Sequence, residues 1–223
     1  CKGRAEPRTL SISLPDTCRY KELFILTRFL IENGADANEG NGEALRYAVK
    51  HYNLQAAQYL LENKARADFV DENTQSPLHY AIEGNDLKMV ALLLKYGANV
   101  NACGHETPLT EAVKKNDIKI VEILINSKPD LDQQNKDGVT SLQIAIKHKH
   151  SAIASILIKH GAQWNSLTFQ ELCFVGDQMI ERYIESVNTE IKLDTECVDS
   201  LINTGNISCL KKLLDNEKVS KNH

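Results

Sequence analysis

Histidine and cysteine are the residues of this chain whose types and spacing come nearest to chemistry. His148, His150 and His160 are close enough in sequence to suggest a metal site. Imidazoles two apart on a helix point to different faces, however, and no cysteine or carboxylate completes a tetrahedral set. Cys173, in Leu172-Cys173-Phe174, has the type of a nucleophile, which needs a paired base and an electropositive setting. Its apolar neighbours at helical spacing make it an inert core thiol instead. The six cysteines (Cys1, Cys18, Cys103, Cys173, Cys197, Cys209) form no CxxC pair, and they fit a reduced intracellular compartment in which buried thiols act as small apolar residues. No glycine-rich phosphate loop, Ser-x-x-Lys pattern or paired-carboxylate motif occurs. The expectation is a protein that is no enzyme and carries no metal or cofactor.

These residues hang on elements that repeat. Glu83–Asn101 aligns with Lys114–Ile125 and with Lys147–Ala162, and Leu45, Leu78, Leu109 and Leu142 recur at about 33 residues, one unit being shorter. Units of this kind bury their apolar faces only against neighbours, and their usual output is a long binding surface. In each unit a short helix opens on Ser, Thr or Glu, often with proline in the first turn, which needs no backbone donor. A tight turn and a longer helix with a Leu/Ile stripe follow. The units are expected at about 41–70, 71–103, 104–134 and 135–165. Before them, Leu23, Phe24, Leu26, Phe29, Leu30 and Ile31 predict a helix over 22–32 that ends at Gly34, the second helix of a unit whose first is missing or distorted. Residues 1–20, with Pro7, Pro15 and scattered basic residues, read as a linker or the tail of an upstream domain. Beyond Trp164 the pattern decays into helix pairs at 168–184 and 196–214, read as divergent units and a polar cap with a frayed lysine-rich tail.

The motifs resemble those of the ankyrin-repeat family. Ser76-Pro77-Leu78-His79-Tyr80-Ala81 and Thr107-Pro108-Leu109-Thr110-Glu111-Ala112 are similar to its Thr-Pro-Leu-His-x-Ala helix opening, and Glu43–Ala48 and Thr140–Ala145 are weaker copies. The Gly-Ala-Asp/Asn-x-Asn ending occurs at Gly34, Gly97 and Gly161. The resemblance covers 21–165 well and 166–223 loosely. It implies an all-α ankyrin-repeat solenoid of about six to seven helix-turn-helix units with degenerate ends. It also implies that His79 ties loops together by hydrogen bonds, and that a partner protein is recognised on a concave face lined by fingers and first-helix ends. The matching finger positions are Glu72, Asn73, Gln75, His105, Glu106, Lys136 and Asp137, with Glu39, Asn41 and Val139. The helix-end positions are Lys50, His51, Glu83, Lys114, Lys115, Lys147 and His148. The helix-end row is basic except at Glu83; a basic stripe beside acidic fingers would orient a charged partner in a salt-sensitive way, and the equal alternative is a solvated face whose lysines serve solubility. Tyr52 and Trp164 are the aromatic anchors expected to stay available, whereas Tyr47 and Tyr80 pack between units. Trp164 has a second reading, burial against the sixth unit.

Composition bounds the rest. The 223 residues carry a net charge of −4 and 42% hydrophobic residues, and no apolar run approaches the ~20 residues that cross a bilayer. The negative charge, and a basic stripe without interleaved exposed aromatics, argue against nucleic acid. The expectation is a monomeric, intracellular protein, cytoplasmic or nuclear. A chain starting at Cys1 reads as part of something longer, which leaves as the alternative a substrate-targeting segment of a larger enzyme. Lysine over arginine, with abundant asparagine and isoleucine, fits AT-rich coding and an effector delivered into a host cell, acting in its cytosol or nucleus.

Overall fold

The computed structural model describes residues 12–164 and, beyond them, residues 191–192, 198–199, 202, 211 and 219–220. The chain divides into two compact units, Cys1–Gly104 and His105–His223. In the first, α1 (Leu14–Arg19), α2 (Phe24–Glu32), α3 (Glu39–Lys50), α4 (Leu54–Glu62), α5 (Pro77–Glu83) and α6 (Leu87–Lys95) follow one another, with a 3-10 turn at Lys21–Leu23. In the second run α7 (Pro108–Lys114), α8 (Ile118–Asn126), α9 (Ser141–Lys147) and α10 (Ser151–Lys159). The helices alternate as first and second members of a pair. First helices α1, α3 and α5 stack on one another, as do second helices α2, α4 and α6; in the other unit α7 packs on α9 and α8 on α10.

Local chemistry sets these boundaries. Thr107 and Thr140 each accept from the backbone N–H three residues on, at 3.1 and 3.3 Å, and close capping boxes. Ser76 does the same with His79, whose Nδ1 accepts from the Ser76 N–H at 3.2 Å. Pro77 and Pro108 occupy first-turn positions where a donor would be idle. The second helices α4, α6 and α8 open on Asn53, Asp86 and Asp117, whose side-chain oxygens accept from N–H groups of the first turn. One residue before the caps of α4, α6, α8 and α10 the backbone turns left-handed, at Tyr52, Asn85, Asn116 and Lys149. It does so again after each second helix, at Gly34, Gly97 and Gly161, and at Lys64 and Lys128 where no glycine is present.

Burial follows the repeat. Leu45, Leu78, Leu109 and Leu142 are between 0% and 2% exposed. In α4, α6, α8 and α10 the third, fourth and seventh residues (Ala56, Ala57, Leu60 and their counterparts) are all 0% exposed. A buried leucine contributes about 2 kcal/mol, so the ladder is the main source of cohesion. α2 carries the same stripe but leaves Ile25, Leu26 and Phe29 exposed.

Three sequence expectations change. Leu14–Arg19, read as linker, is the missing first helix: Ser13 caps it, Pro15 sits in its first turn, and Leu14, Thr17 and Cys18 are buried. Asn53 Nδ2 donates to the Cys18 carbonyl at 3.0 Å, and Thr27 Oγ1 lies 3.0 Å from Thr17 Oγ1, so α1 is tied to both its neighbours. Pro15 thus does the work of Pro77 and Pro108, not that of a linker. Burial pushes the Cys18 thiol up to about 11 against the pull of hydrogen bonds to Thr27 and Thr17, whereas Cys103 is exposed. Third, Val219–Ser220, read as frayed tail, pairs in parallel with Ile191–Lys192 (β2 with β1). That pairing is the only strand structure among the described residues. The expected helix pairs at 168–184 and 196–214, with Cys173, otherwise fall outside the described residues. Among the described residues no helix is long and apolar enough to cross a membrane.

Candidate functional site

The loop before each first helix is a finger, and the finger at 71–75 is organised by one carboxylate. Asp71 Oδ1 accepts from the N–H groups of Asn73 (2.9 Å) and Gln75 (3.0 Å), while the Asp71 N–H donates to the Gln75 carbonyl at 3.0 Å. Thr74 takes the left-handed position that closes the turn (φ 62°). The Tyr80 hydroxyl, from α5, donates to Asp71 Oδ2. Burial pushes the Asp71 carboxyl up, but Tyr80, the two N–H groups and the Arg46 charge outweigh it and hold the group below its usual range.

Beside this finger runs a groove of about 530 Å³ between it and α3. Arg46 and Lys50, one helical turn apart on α3, line one wall, and Val70 to Asn73 line the other. Lys50 Nζ lies 4.0 Å from the centroid of the Tyr80 ring, and Arg46 Nη2 meets Glu43 Oε1 at 3.3 Å. Lys50 and Glu72 are exposed and make no ion pair among the described residues. Of the sequence-derived contact positions, Asn41, Lys50, Glu72 and Asn73 therefore come together in one groove.

The finger at 135–139 is built the same way with an amide. Asn135 Oδ1 accepts from the N–H groups of Asp137 and Val139, both at 3.0 Å, and Gly138 is left-handed. Its free end points elsewhere: Asn135 Nδ2 donates to Glu106 Oε2 at 3.0 Å, and Lys114 Nζ donates to Glu106 Oε1. Glu106 is 9% exposed, although it was expected as a finger contact. Burial pushes its carboxyl up, and Lys114, Asn135 and Thr110 pull it below its ordinary value. A buried carboxylate needs such partners, so Glu106 is a brace between fingers. His105, Glu106 and Asp137 bring ligand-type atoms within 4.8 Å of one another, and Glu106 among them is already paired with the Lys114 ammonium.

The remaining positions scatter. Gln75 and Trp164 are half-buried, and the sixth unit expected to cover Trp164 falls outside the described residues. His51 is exposed and stacks on Tyr47 at 6.3 Å. Tyr52 is 49% exposed, yet its ring covers Gly84, where a Cβ would come within 2.4 Å of it. Glu83, His105, Lys136, Asp137, Lys147 and His148 are exposed, as are Lys114 and Lys115, the latter 3.9 Å from Glu111. The His148 and His150 rings stack at 5.7 Å, against the expectation of different faces. They do not share a helix: Lys149 between them is left-handed and swings the rings together. His150 Nδ1 donates to the Val113 carbonyl at 2.9 Å. Sequence reading missed Asp71, Asn135 and the role of Glu106. The available signal was the Asp/Asn type shared by the two hubs one residue before the finger tip, and the Glu106/Lys114 pair, whose counterparts are Gln75 and Glu83.

Residues 17–103 and 100–168 match a family profile described as ankyrin repeats (3 copies). The B-cell lymphoma 3 protein homolog of Mus musculus is 50% identical over 60 residues, 26% of this chain and 13% of that protein. An ankyrin repeat protein of Fowlpox virus (strain NVSL) is 39% identical over 59 residues, 26% of this chain and 12% of its own. One of Acanthamoeba polyphaga mimivirus is 38% identical over 58 residues, again 26% of this chain and 8% of its own. The chain thus matches between 8% and 13% of the length of these relatives. With capped helix pairs, left-handed turns and fingers recurring in register through the matched residues, the chain belongs to the ankyrin-repeat family, an all-α solenoid fold and a scaffold for protein–protein interaction.

Proposed function

We propose that this chain recognises a partner protein through its fingers and first-helix ends, chiefly through the groove between α3 and the finger at 71–75, and performs no chemistry of its own. The observation that carries this reading is the convergence of Lys50, Glu72 and Asn73 on one groove of about 530 Å³. Unpaired charges of both signs at an exposed groove orient a partner during encounter. A tyrosine-backed ammonium beside them supplies a fixed contact point, because the Tyr80 ring restrains Lys50. The basic row in the second unit supports the reading less. Lys114 is held by Glu106 and Lys115 lies near Glu111, which leaves Lys147 and His148 as its members without an ion pair among the described residues.

The test is an affinity pull-down from cell lysate with the 223-residue chain, wild type beside a charge-swapped Lys50→Glu/Glu72→Lys variant. Proteins recovered by the wild type and lost with the variant, at unchanged helical content and melting, are the expected result. Equal recovery by both removes this groove as the recognition surface. Lys114→Glu is unsuitable, since it would break the Glu106 brace as well as any contact.

A further inference from the structure

We infer that the groove takes an extended protein segment in which basic residues flank one apolar side chain; this rests on the recognition role just proposed and names the partner's chemistry. The groove does not end at Glu43. Gly40 and Glu43 line it and also a second cavity of about 390 Å³, where the start of α1, the end of α2 and the start of α3 meet. The walls of that chamber are apolar, formed by Leu14, Pro15, Leu30 and Ala44, and its rim carries Asp36, Glu39 and Glu43. Further along, Asp71 and Glu72 face Arg46 and Lys50. Five carboxylates therefore meet two cations along the joined cavities. Pairing inside the protein removes little of that excess. Arg46 takes Glu43 and Tyr80 holds Asp71 without neutralising it. Glu39 and Glu72 are exposed and make no ion pair among the described residues.

The backbone shapes the boundary that the two cavities share. At the threshold Gly40, Asn41 and Gly42 are left-handed in succession (φ 60°, 55° and 72°), where α5 and α7 begin with a capped proline turn. A Cβ at Gly42 would lie 2.4 Å from the Phe69 ring, and Gly40 puts no side chain between the two cavities. An occupant that places an aliphatic side chain among Leu14, Pro15 and Leu30 has its neighbouring residues at the Asp36, Glu39 and Glu43 rim. Lysine or arginine there is attracted, and aspartate or glutamate is repelled.

The experiment uses short fluorescein-labelled peptides titrated with the whole chain and read by anisotropy. One carries leucine flanked by lysines, the second replaces the lysines with glutamates, and the third replaces the leucine with serine. The leucine–lysine peptide is expected to saturate. It should lose about tenfold in affinity on either replacement, on Glu39→Lys in the protein, and on raising salt to about 0.5 M. Glu39 is exposed, so this substitution should leave the circular dichroism unchanged. Equal binding of the three peptides, or no saturable binding of the leucine–lysine peptide, overturns the inference. A partner lost with Lys50→Glu/Glu72→Lys while the peptides bind alike leaves the recognition role in place and removes only this partner chemistry.

Discussion

The fingers at 71–75 and 135–139 are the same turn with different hubs, an aspartate in one and an asparagine in the other. Both hubs accept two N–H bonds from their own turn, and both turns close on a left-handed residue. The other terminal atom of the hub side chain decides what each finger is for. Asp71 has an oxygen left, takes the Tyr80 hydroxyl and remains an anion beside an open groove. Asn135 has an amide left, donates to Glu106 and becomes part of a neutralised brace with Lys114. These two fingers therefore share a backbone while differing in electrostatics. One atom type at the hub separates a surface that can meet a charged partner from one occupied by its own protein.

Removing the brace should have the largest effect. Glu106→Ala leaves the buried Asn135 amide and the Lys114 ammonium without their acceptor, at a cost of about 2–3 kcal/mol in urea unfolding. A loss under about 0.5 kcal/mol would mean the brace adds nothing beyond solvent. Asp71→Asn, which gives the first finger the second one's hub, should cost about 1 kcal/mol, since an amide oxygen accepts the same bonds less strongly. It should also flatten the acid limb of stability. Asp71 and Glu106 are both held below their ordinary values in the fold. The stability they bring is complete above about pH 5, beyond the unfolded values, and is lost as pH falls through the folded values. Urea midpoints from pH 7 down to about pH 2 should therefore fall less for Asp71→Asn than for the wild type, and parallel curves would remove Asp71 from the account. The smallest effects test whether the two units share their backbone. Lys64 and Lys128 take the left-handed place that Gly34, Gly97 and Gly161 hold elsewhere. Lys64→Gly and Lys128→Gly should each stabilise by about 0.5–1 kcal/mol, and a rise in only one would show that the units store different strain.

Much of the architecture could be read from residue types alone. The leucine ladder, the Ser76, Thr107 and Thr140 caps and the glycine C-ends follow from interactions that close within about four residues. Repetition then multiplied each weak signal, which is why the helix pairs from Glu39 to Lys159 stood out. The first helix did not, because one proline in a short, unrepeated stretch reads equally as a turn or as a helix start. Nor did the site. Lys50, Glu72 and Asn73 were identified by register, but register does not say whether a side chain faces out.

The sequence by itself determined the repeat and its caps and turns, because these depend on local hydrogen bonds and on apolar spacing. Tertiary structure alone decided that Glu106 turns inward while Glu72 stays out. It decided too that Asp71 answers to Tyr80 and Asn135 to Glu106, and that the groove beside α3 shares Gly40 and Glu43 with a second cavity. The physical reason is that a carboxylate's role is set by the donors brought to it, and those came from other turns: nine residues away for Asp71, eight and 29 for Glu106.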